Sequence, residues 1–176
     1  MTNISELANK IKLVAFDVDG VMTDGGLIFG ENQSEYKIFN AKDGQGITML
    51  NKTGFITAII TAKVSEAVKR RFNMLGMTKL FEGQKNKLLA LDELCVEFQV
   101  NYDEIAYMGD DLPDLCVIEK VGLSACPHDA IEEVKSRVNF VSSKNGGKGA
   151  VRELCDFILY SQDKHPYALN PIQAGE

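Results

Sequence analysis

The chain has no C-x-x-C pair, only two histidines, and no apolar run near the ~18 residues that a membrane-spanning helix needs. Each lack removes a class of function. Cys95, Cys116, Cys126 and Cys155 show no zinc spacing, and their mostly apolar surroundings read as reduced core thiols. His128 and His165 have no partner histidine in sequence, so neither a zinc site nor a catalytic histidine is expected. Positions 1–10 hold no signal-peptide h-region, which favours a cytoplasmic protein with no membrane partner. Positive charge is also in deficit: a formal net charge of -6 argues against nucleic acid as a partner. The same charge would repel an anionic substrate, so a phosphate site here needs a metal or local lysines. Repeats and low-complexity segments are missing too.

What is present fits one soluble globular domain: 176 residues, 45% hydrophobic and 25% charged. Strand patterns fall at 11–16, 55–61, 79–81, 105–108, 122–124 and 138–141. Helical patterns fall between them at 44–52, 65–75, 87–98, 112–120, 130–136 and 149–160. This alternation predicts an α/β fold, a doubly wound parallel sheet covered on both faces. Segment 27–39 breaks the rhythm and reads as a projecting β-hairpin, with Gly30-Glu31-Asn32 as its turn. The domain is expected to span 1–161. The remainder, 162–176, carries Pro166 and Pro171 without periodicity and reads as a tail, disordered or folded only against a neighbour.

The strongest signal is Asp17-Val18-Asp19-Gly20-Val21-Met22-Thr23-Asp24 directly after the first apolar run. A buried strand ending in two acids and glycine delivers carboxylates to the carboxyl edge of a parallel sheet, where open α/β folds bind ligands. Alternation along a strand sends Asp17 and Asp19 to the same side. Such a pair suits a nucleophile with a proton donor, or two ligands of one hard cation; a polar turn is the plain alternative. Three more clusters stand at strand ends or helix starts: Thr61, Lys87, and Gly109-Asp110-Asp111-Leu112-Pro113-Asp114. Alone, Thr61 could be a helix cap, Lys87 a solvated lysine, and Asp110 with Asp111 a cap bearing favourable charge. Together, on one sheet edge, they point to phosphoryl transfer.

In that chemistry Asp17 attacks phosphorus and forms an aspartyl phosphate. Mg²⁺ held by Asp17, Asp110 and the main-chain carbonyl of Asp19 offsets the charge of an anion attacking an anion. Asp19 protonates the leaving alkoxide and later activates water, a role for which nearby negative charge should raise its pKa. The Thr61 hydroxyl and backbone N–H groups hold phosphate oxygens, and Lys87 balances charge on phosphate and carboxylates. Asp111 and Asp114 hold metal-bound water or orient Lys87.

These motifs resemble the haloacid dehalogenase (HAD) phosphatase superfamily over nearly the whole chain. The gaps from Asp19 to Thr61 and from Lys87 to Asp110 are too short for a cap domain, since independent domains rarely fall below ~50 residues. An open site follows, for a large substrate or for a small one enclosed by a neighbouring subunit. Finer motifs resemble the 3-deoxy-D-manno-octulosonate 8-phosphate (KDO 8-phosphate) phosphatase family: F-x-x-x-D-G-x-G-I at 39–47, G-Q-x-x-K at 83–87, A-Y-M-G-D-D-L-x-D at 106–114 and G-G-x-G-A-V-R-E at 146–153. That resemblance implies a capless homotetramer whose hairpins form a central barrel and whose tails reach neighbouring sites. It also implies a small acidic sugar phosphate as substrate, a place in lipopolysaccharide precursor synthesis, a site-lining role for 146–149, and substrate contacts from Thr23, Asp24, Gly25, Asp43, Ala62 and Lys63. One departure stands out: the family reads T-G-R-x-S where this chain has Thr61-Ala62-Lys63-Val64-Ser65. Lys63 keeps the charge but lacks a guanidinium's two-pronged grip on a carboxylate.

Other patterns are excluded or plain. Segment 145–149 lacks the G-K-[ST] of a Walker loop, and Val21 stands where an EF-hand needs an oxygen ligand. Lys69-Arg70-Arg71 reads as a solvated helix face, with a subunit contact as the other reading. A phosphatase of a nine-carbon sialic-type sugar 9-phosphate would carry the same motifs. A phosphoacceptor signalling domain also combines acids, Thr and Lys, but with the acidic pair first and the acceptor on a later strand, and without need of Asp19.

Overall fold

A computed structural model describes residues 3–31 and 35–166. Its centre is β1 (Leu13–Phe16), four apolar residues buried on both sides. A strand that must satisfy helices on two faces cannot afford polar alternation, which is why this run is continuous. β1 pairs in parallel with β4 (Ile56–Ile60) and β6 (Ile105–Met108), so Phe16 lies level with Ile59 and Met108. β5 (Lys79–Phe81), β7 (Leu123–Cys126) and β8 (Phe140–Val141) complete a six-stranded sheet of order β5-β4-β1-β6-β7-β8, parallel throughout.

The period-2 alternation of strand side chains divides the core. Val14 and Phe16 of β1 with Ala106 and Met108 of β6 pack beneath α2 (Ala41–Lys52) and α7 (Ala150–Ser161), against Ile47, Leu50, Leu154 and Ile158. Leu13 and Ala15 with Ile105 and Tyr107 face the opposite layer, against Leu91 and Leu94 of α4 (Lys87–Phe98) and Val117 of α5 (Leu115–Ile118). Burying each such Leu or Ile contributes about 1.5–3 kcal/mol, so Leu91→Ala or Leu154→Ala should cost about 2–5 kcal/mol. α3 (Glu66–Leu75) and α6 (Glu132–Lys135) complete the doubly wound architecture.

Several boundaries differ from expectation. α2 begins at Ala41 rather than 44, because Asn40 caps it by accepting from the N–H groups of Lys42 (2.8 Å) and Asp43 (3.4 Å). The expected 112–120 helix divides into a 3₁₀ turn, Leu112–Asp114, and the short α5. The last two strands move to 123–126 and 140–141, and the 130–136 helix shortens to α6. An unexpected helix, α1 (Ile4–Ala8), is tied to the end of α7 by the Gln162 amide, which donates to the carbonyls of Ala8 (2.9 Å) and Ile11 (2.8 Å). Residues 162–166 thus fold onto their own chain, with buried His165 stacked on Tyr160 at 4.0 Å between ring centroids. The rest of the expected tail, 167–176, lies outside the described residues.

The hairpin consists of β2 (Ile28–Phe29) and β3 (Glu35–Tyr36), paired antiparallel with Ile28 opposite Tyr36. Its second arm leaves the strand after Tyr36, short of the expected Phe39, and Asn32 of the expected turn lies outside the described residues. Between β1 and β4 the described chain holds only this hairpin and α2, so no cap domain covers the carboxyl edge.

Candidate active site

The site is built on the loop that leaves β1. Asp17 N–H still donates to the Met108 carbonyl (3.0 Å), but the N–H groups of Val21, Met22 and Thr23 all turn back to the Val18 carbonyl. The Thr23 hydroxyl stays inside the curl, donating to Val18 O (3.3 Å) and accepting from the N–H groups of Gly20 (3.4 Å) and Gly25 (3.2 Å). Gly20 has φ 89°, and a Cβ there would overlap the Asp110 carboxylate. A Cβ at Gly146 would overlap the Gly20 carbonyl, and Gly147 N–H donates to Val21 O (2.9 Å). The glycine-rich segment therefore braces the loop after β1 backbone to backbone.

On the floor of the cleft, Asp17, Asp110 and Asp114 each offer an oxygen within 4.8 Å of the others. Lys87 answers them. Its ammonium lies 2.9 Å from Asp17 Oδ1, 2.6 Å from Asp114 Oδ1 and 3.3 Å from the Tyr107 hydroxyl. Tyr107 donates to Asp114 Oδ1 (2.6 Å), while Asp114 Oδ2 accepts from the N–H groups of Asp110 (2.9 Å) and Asp111 (3.2 Å). Burial, then the charges of Asp114 and Asp17, push Asp110 up to about 8. Burial and Asp114 raise Asp17 to about 6, with Lys87 partly opposing. Burial works against charge on Lys87, yet Asp17 and Asp114 outweigh it and its pKa rises. Burial, with Asp114 next, holds the Tyr107 phenol protonated.

Three carboxylates facing one ammonium leave a negative excess in a buried place, and carboxylate oxygens are the donors a hard divalent cation takes. The donor set fits Mg²⁺. The oxygens of Asp114 already accept from four donors, near the capacity of a carboxylate. That leaves Asp17 and Asp110 as the side chains with oxygens to offer.

The rim differs from expectation. Asp19 faces positive groups: Lys37 from the end of the hairpin on Oδ1, and Lys63 at 3.6 Å from Oδ2. The Lys37 side chain is 2% exposed and also pairs with Glu35 at 2.7 Å. The negative neighbours expected around Asp19 surround Asp17 and Asp110 instead, because the strand ends at Phe16 and the curled loop separates the two acids. Thr61 caps no helix. Its N–H donates to Phe81 O (2.9 Å), and its hydroxyl accepts from Lys63 N–H (3.4 Å).

One cleft of about 240 Å³ brings together Asp17, Asp19, Thr61, Ala62, Lys63, Lys87, Asp110, Asp111 and Asp114. A larger cavity of about 410 Å³, bounded by Lys12, Phe55 and Glu104 at the opposite edge of the sheet, contains none of the expected site residues. Four expected substrate contacts fall outside the cleft. Thr23 is turned inward as described, and Gly25 forms a turn at φ 75°. Asp24 is exposed, held below the usual carboxylate range by the Gly26 N–H and then Lys148. Asp43 is buried and accepts from the N–H groups of Arg152 (2.9 Å) and Gly149 (3.3 Å), capping α7, whose N-cap residue Gly149 has no side chain to do so. Asp111 caps the Leu112–Asp114 turn through Leu112 N–H (2.7 Å). Nor is the basic run a solvated face throughout: Arg71 donates to the Asn40 carbonyl (2.9 Å) and lies 5.6 Å from the Phe39 ring centroid.

Sequence reasoning missed two polar groups. Tyr107 reads as one more apolar strand residue, and Lys37 as a hairpin lysine; only the tyrosine's place directly before the acidic loop hinted at more.

Comparison with known proteins agrees with this geometry. Residues 29–154 match the family model of haloacid dehalogenase-like hydrolases, a span that begins beyond Asp17 and Asp19. The 3-deoxy-D-manno-octulosonate 8-phosphate phosphatase of Yersinia pestis is 42% identical over 162 residues, covering 92% of this chain and 87% of that protein. A crystal structure of a probable YrbI family phosphatase from Pseudomonas syringae superposes with TM-score 0.90 at 46% identity, covering 92% of each chain. The phosphatase of the same name from Moraxella catarrhalis, solved with magnesium, phosphate and KDO, superposes with TM-score 0.90 at 38% identity, covering 92% of this chain and 93% of that one. With one parallel sheet, no cap and these relatives along nearly its full length, the chain belongs to the haloacid dehalogenase-like hydrolases, in the family of the KDO 8-phosphate phosphatases.

Proposed function

We propose that this protein hydrolyses KDO 8-phosphate to KDO and inorganic phosphate, with Mg²⁺ bound, through an aspartyl phosphate on Asp17. The observation that carries it is the buried floor, where Asp17, Asp110 and Asp114 converge on one another and on Lys87. Burial keeps Asp17 near a pKa of about 6, so it is mostly ionised at neutral pH and able to attack phosphorus. Lys87 lies 2.9 Å from Oδ1 of that carboxylate and offsets part of its charge. Mg²⁺, which Asp17, Asp110 and the Asp19 main-chain carbonyl would hold, would supply the charge neutralisation that an anion attacking an anion requires. Asp19 would protonate the departing sugar alkoxide once the substrate phosphate draws Lys37 and Lys63 off its carboxylate and lets it take up a proton, and would then remove a proton from the water that hydrolyses the acyl phosphate. Lys37 and Lys63 beside it meet an incoming anionic substrate with positive charge. The Thr61 hydroxyl and loop N–H groups hold phosphate oxygens, and Asp114 keeps Lys87 in place.

The reading extends to a single domain over 1–161 with 162–166 packed back onto it, a cytoplasmic place in lipopolysaccharide precursor synthesis, and a homotetramer. Exposed Leu27, Ile28, Phe29, Tyr36 and Ile38 on and beside the hairpin support self-association, since apolar groups gathered on one projection mark a contact surface. A monomer in size-exclusion chromatography with light scattering would remove the tetramer.

Phosphate release from KDO 8-phosphate, a nine-carbon sugar 9-phosphate and an aryl phosphate, each with and without Mg²⁺, tests the function. Mg²⁺-dependent turnover favouring the eight-carbon ester supports it. Turnover of the aryl ester alone would leave a phosphatase of another substrate, and none at all would sink the reading.

A further inference from the structure

If Lys87 is to stay on Asp17, something must aim it. An ammonium on a four-carbon stem carries three protons and rotates freely, so its direction is set by its acceptors. Those of Lys87 are Asp17 Oδ1 at 2.9 Å, Asp114 Oδ1 at 2.6 Å and the Tyr107 oxygen at 3.3 Å. Tyr107 also donates to Asp114 Oδ1 at 2.6 Å, so lysine, aspartate and phenol form a closed triangle in which each group touches the other two. The tyrosine is the stiffest corner. It sits on the central strand β6, fully buried, with its ring in the apolar layer that holds Leu91 and Val117.

Tyr107 is not among the residues that line the cleft, so it does not touch substrate, and any influence on the reaction must pass through the pair it contacts. Removing its hydroxyl is also structurally mild. Phenylalanine fills nearly the same volume, and Asp114 Oδ1 keeps Lys87 as a donor, so no buried acceptor is orphaned. Lys87 loses one of three acceptors and Asp114 Oδ1 one of its two donors, so the pair keeps its contacts but is aimed less firmly.

We propose that Tyr107 is a positioning residue of the phosphoryl-transfer site, its phenol fixing the Lys87–Asp114 pair so that the ammonium remains on the Asp17 carboxylate. The proposal rests on the phosphatase reading above. Nothing in the arrangement depends on the sugar, so the effect should be the same for every phosphate ester the enzyme accepts.

The test uses the full chain with Mg²⁺ present, as wild type, Y107F, D114N and the double variant, on KDO 8-phosphate and an aryl phosphate. Y107F should lower kcat by about 10-fold on both esters with KM within about twofold, since small misplacements near reacting atoms act on the rate rather than on uniform binding. Its melting temperature should stay within a few degrees of wild type. In the D114N background the tyrosine change should alter kcat by less than about twofold, because the pair it aims is already broken. Wild-type kcat in Y107F, full additivity in the double variant, or a loss of activity that tracks loss of folding would each overturn the proposal. Wild type inactive on every ester would instead count against the phosphatase reading itself.

Discussion

Asp17 and Asp19 stand two residues apart in one loop and keep opposite company. Asp17 belongs to the floor, beside half-buried Asp110 and buried Asp114, with one ammonium supplied by the first residue of α4. Asp19 belongs to the rim, between Lys37 from the hairpin and Lys63 from the loop after β4. The floor is short of positive charge and suited to a cation; the rim has it to offer and suits an anion. On the proposed function, strand ends and the start of α4 build the part that holds reacting atoms, while a hairpin and a loop build the part that receives the substrate.

The contrast can be broken most severely at the floor. Asp17→Asn removes the charge of the proposed nucleophile and should lower Mg²⁺-dependent phosphate release by at least ~10³-fold while the protein stays folded. Lys87→Met comes next: it leaves buried Asp17 and Asp114 without their cation, so kcat should drop by ~10²-fold and urea unfolding should show a loss of about 3–5 kcal/mol. On the rim, Lys37→Met should cost about 10-fold in kcat/KM, because the ammonium it removes is shielded from water. Lys63→Met should cost only ~2–3-fold, since Lys63 is 47% exposed and its pair is stretched to 3.6 Å. If the two lysine variants behave alike, the distinction within the rim fails.

A smaller effect sharpens the comparison without touching substrate. Asp17 at about 6 and Asp110 at about 8 both lie above the 3.8 of an unfolded aspartate, so between these values the metal-free folded protein binds more protons than the unfolded chain. Its stability should therefore fall as pH rises from about 4 to about 8. Mg²⁺ takes the place of those protons, so it should raise the melting temperature by more at pH 8 than at pH 6. Scans in EDTA and in Mg²⁺ check both points. Asp110→Asn should flatten the metal-free slope, and a slope that is unchanged would place the raised groups elsewhere.

Much of the floor was legible beforehand. Continuous apolar runs at 11–16 and 105–108, each followed by acids and glycine, announce buried parallel strands that end at one edge, and Asp17 and Asp110 meet there. The loop geometry was not legible, because the turn at Val18 depends on hydrogen bonds from Val21, Met22 and Thr23 and on the glycine-rich segment pressed against it from far along the chain. Asp43 and Thr23, polar residues inside motif-like stretches, turned out to serve the backbone, one as the cap of α7 and the other within its own loop.

The amino-acid sequence alone determined the α/β alternation, the sheet edge where the acids gather and the chemistry that such acids support, since strand and helix periodicity and the residue types at strand ends are local properties. Only the tertiary structure decided which partner each charge would have: Lys37 for Asp19, Tyr107 and Asp114 for Lys87, Arg152 N–H for Asp43. Those pairings join residues 18, 20, 27 and 109 positions apart, and they exist because separate strands and helices end at the same place in space.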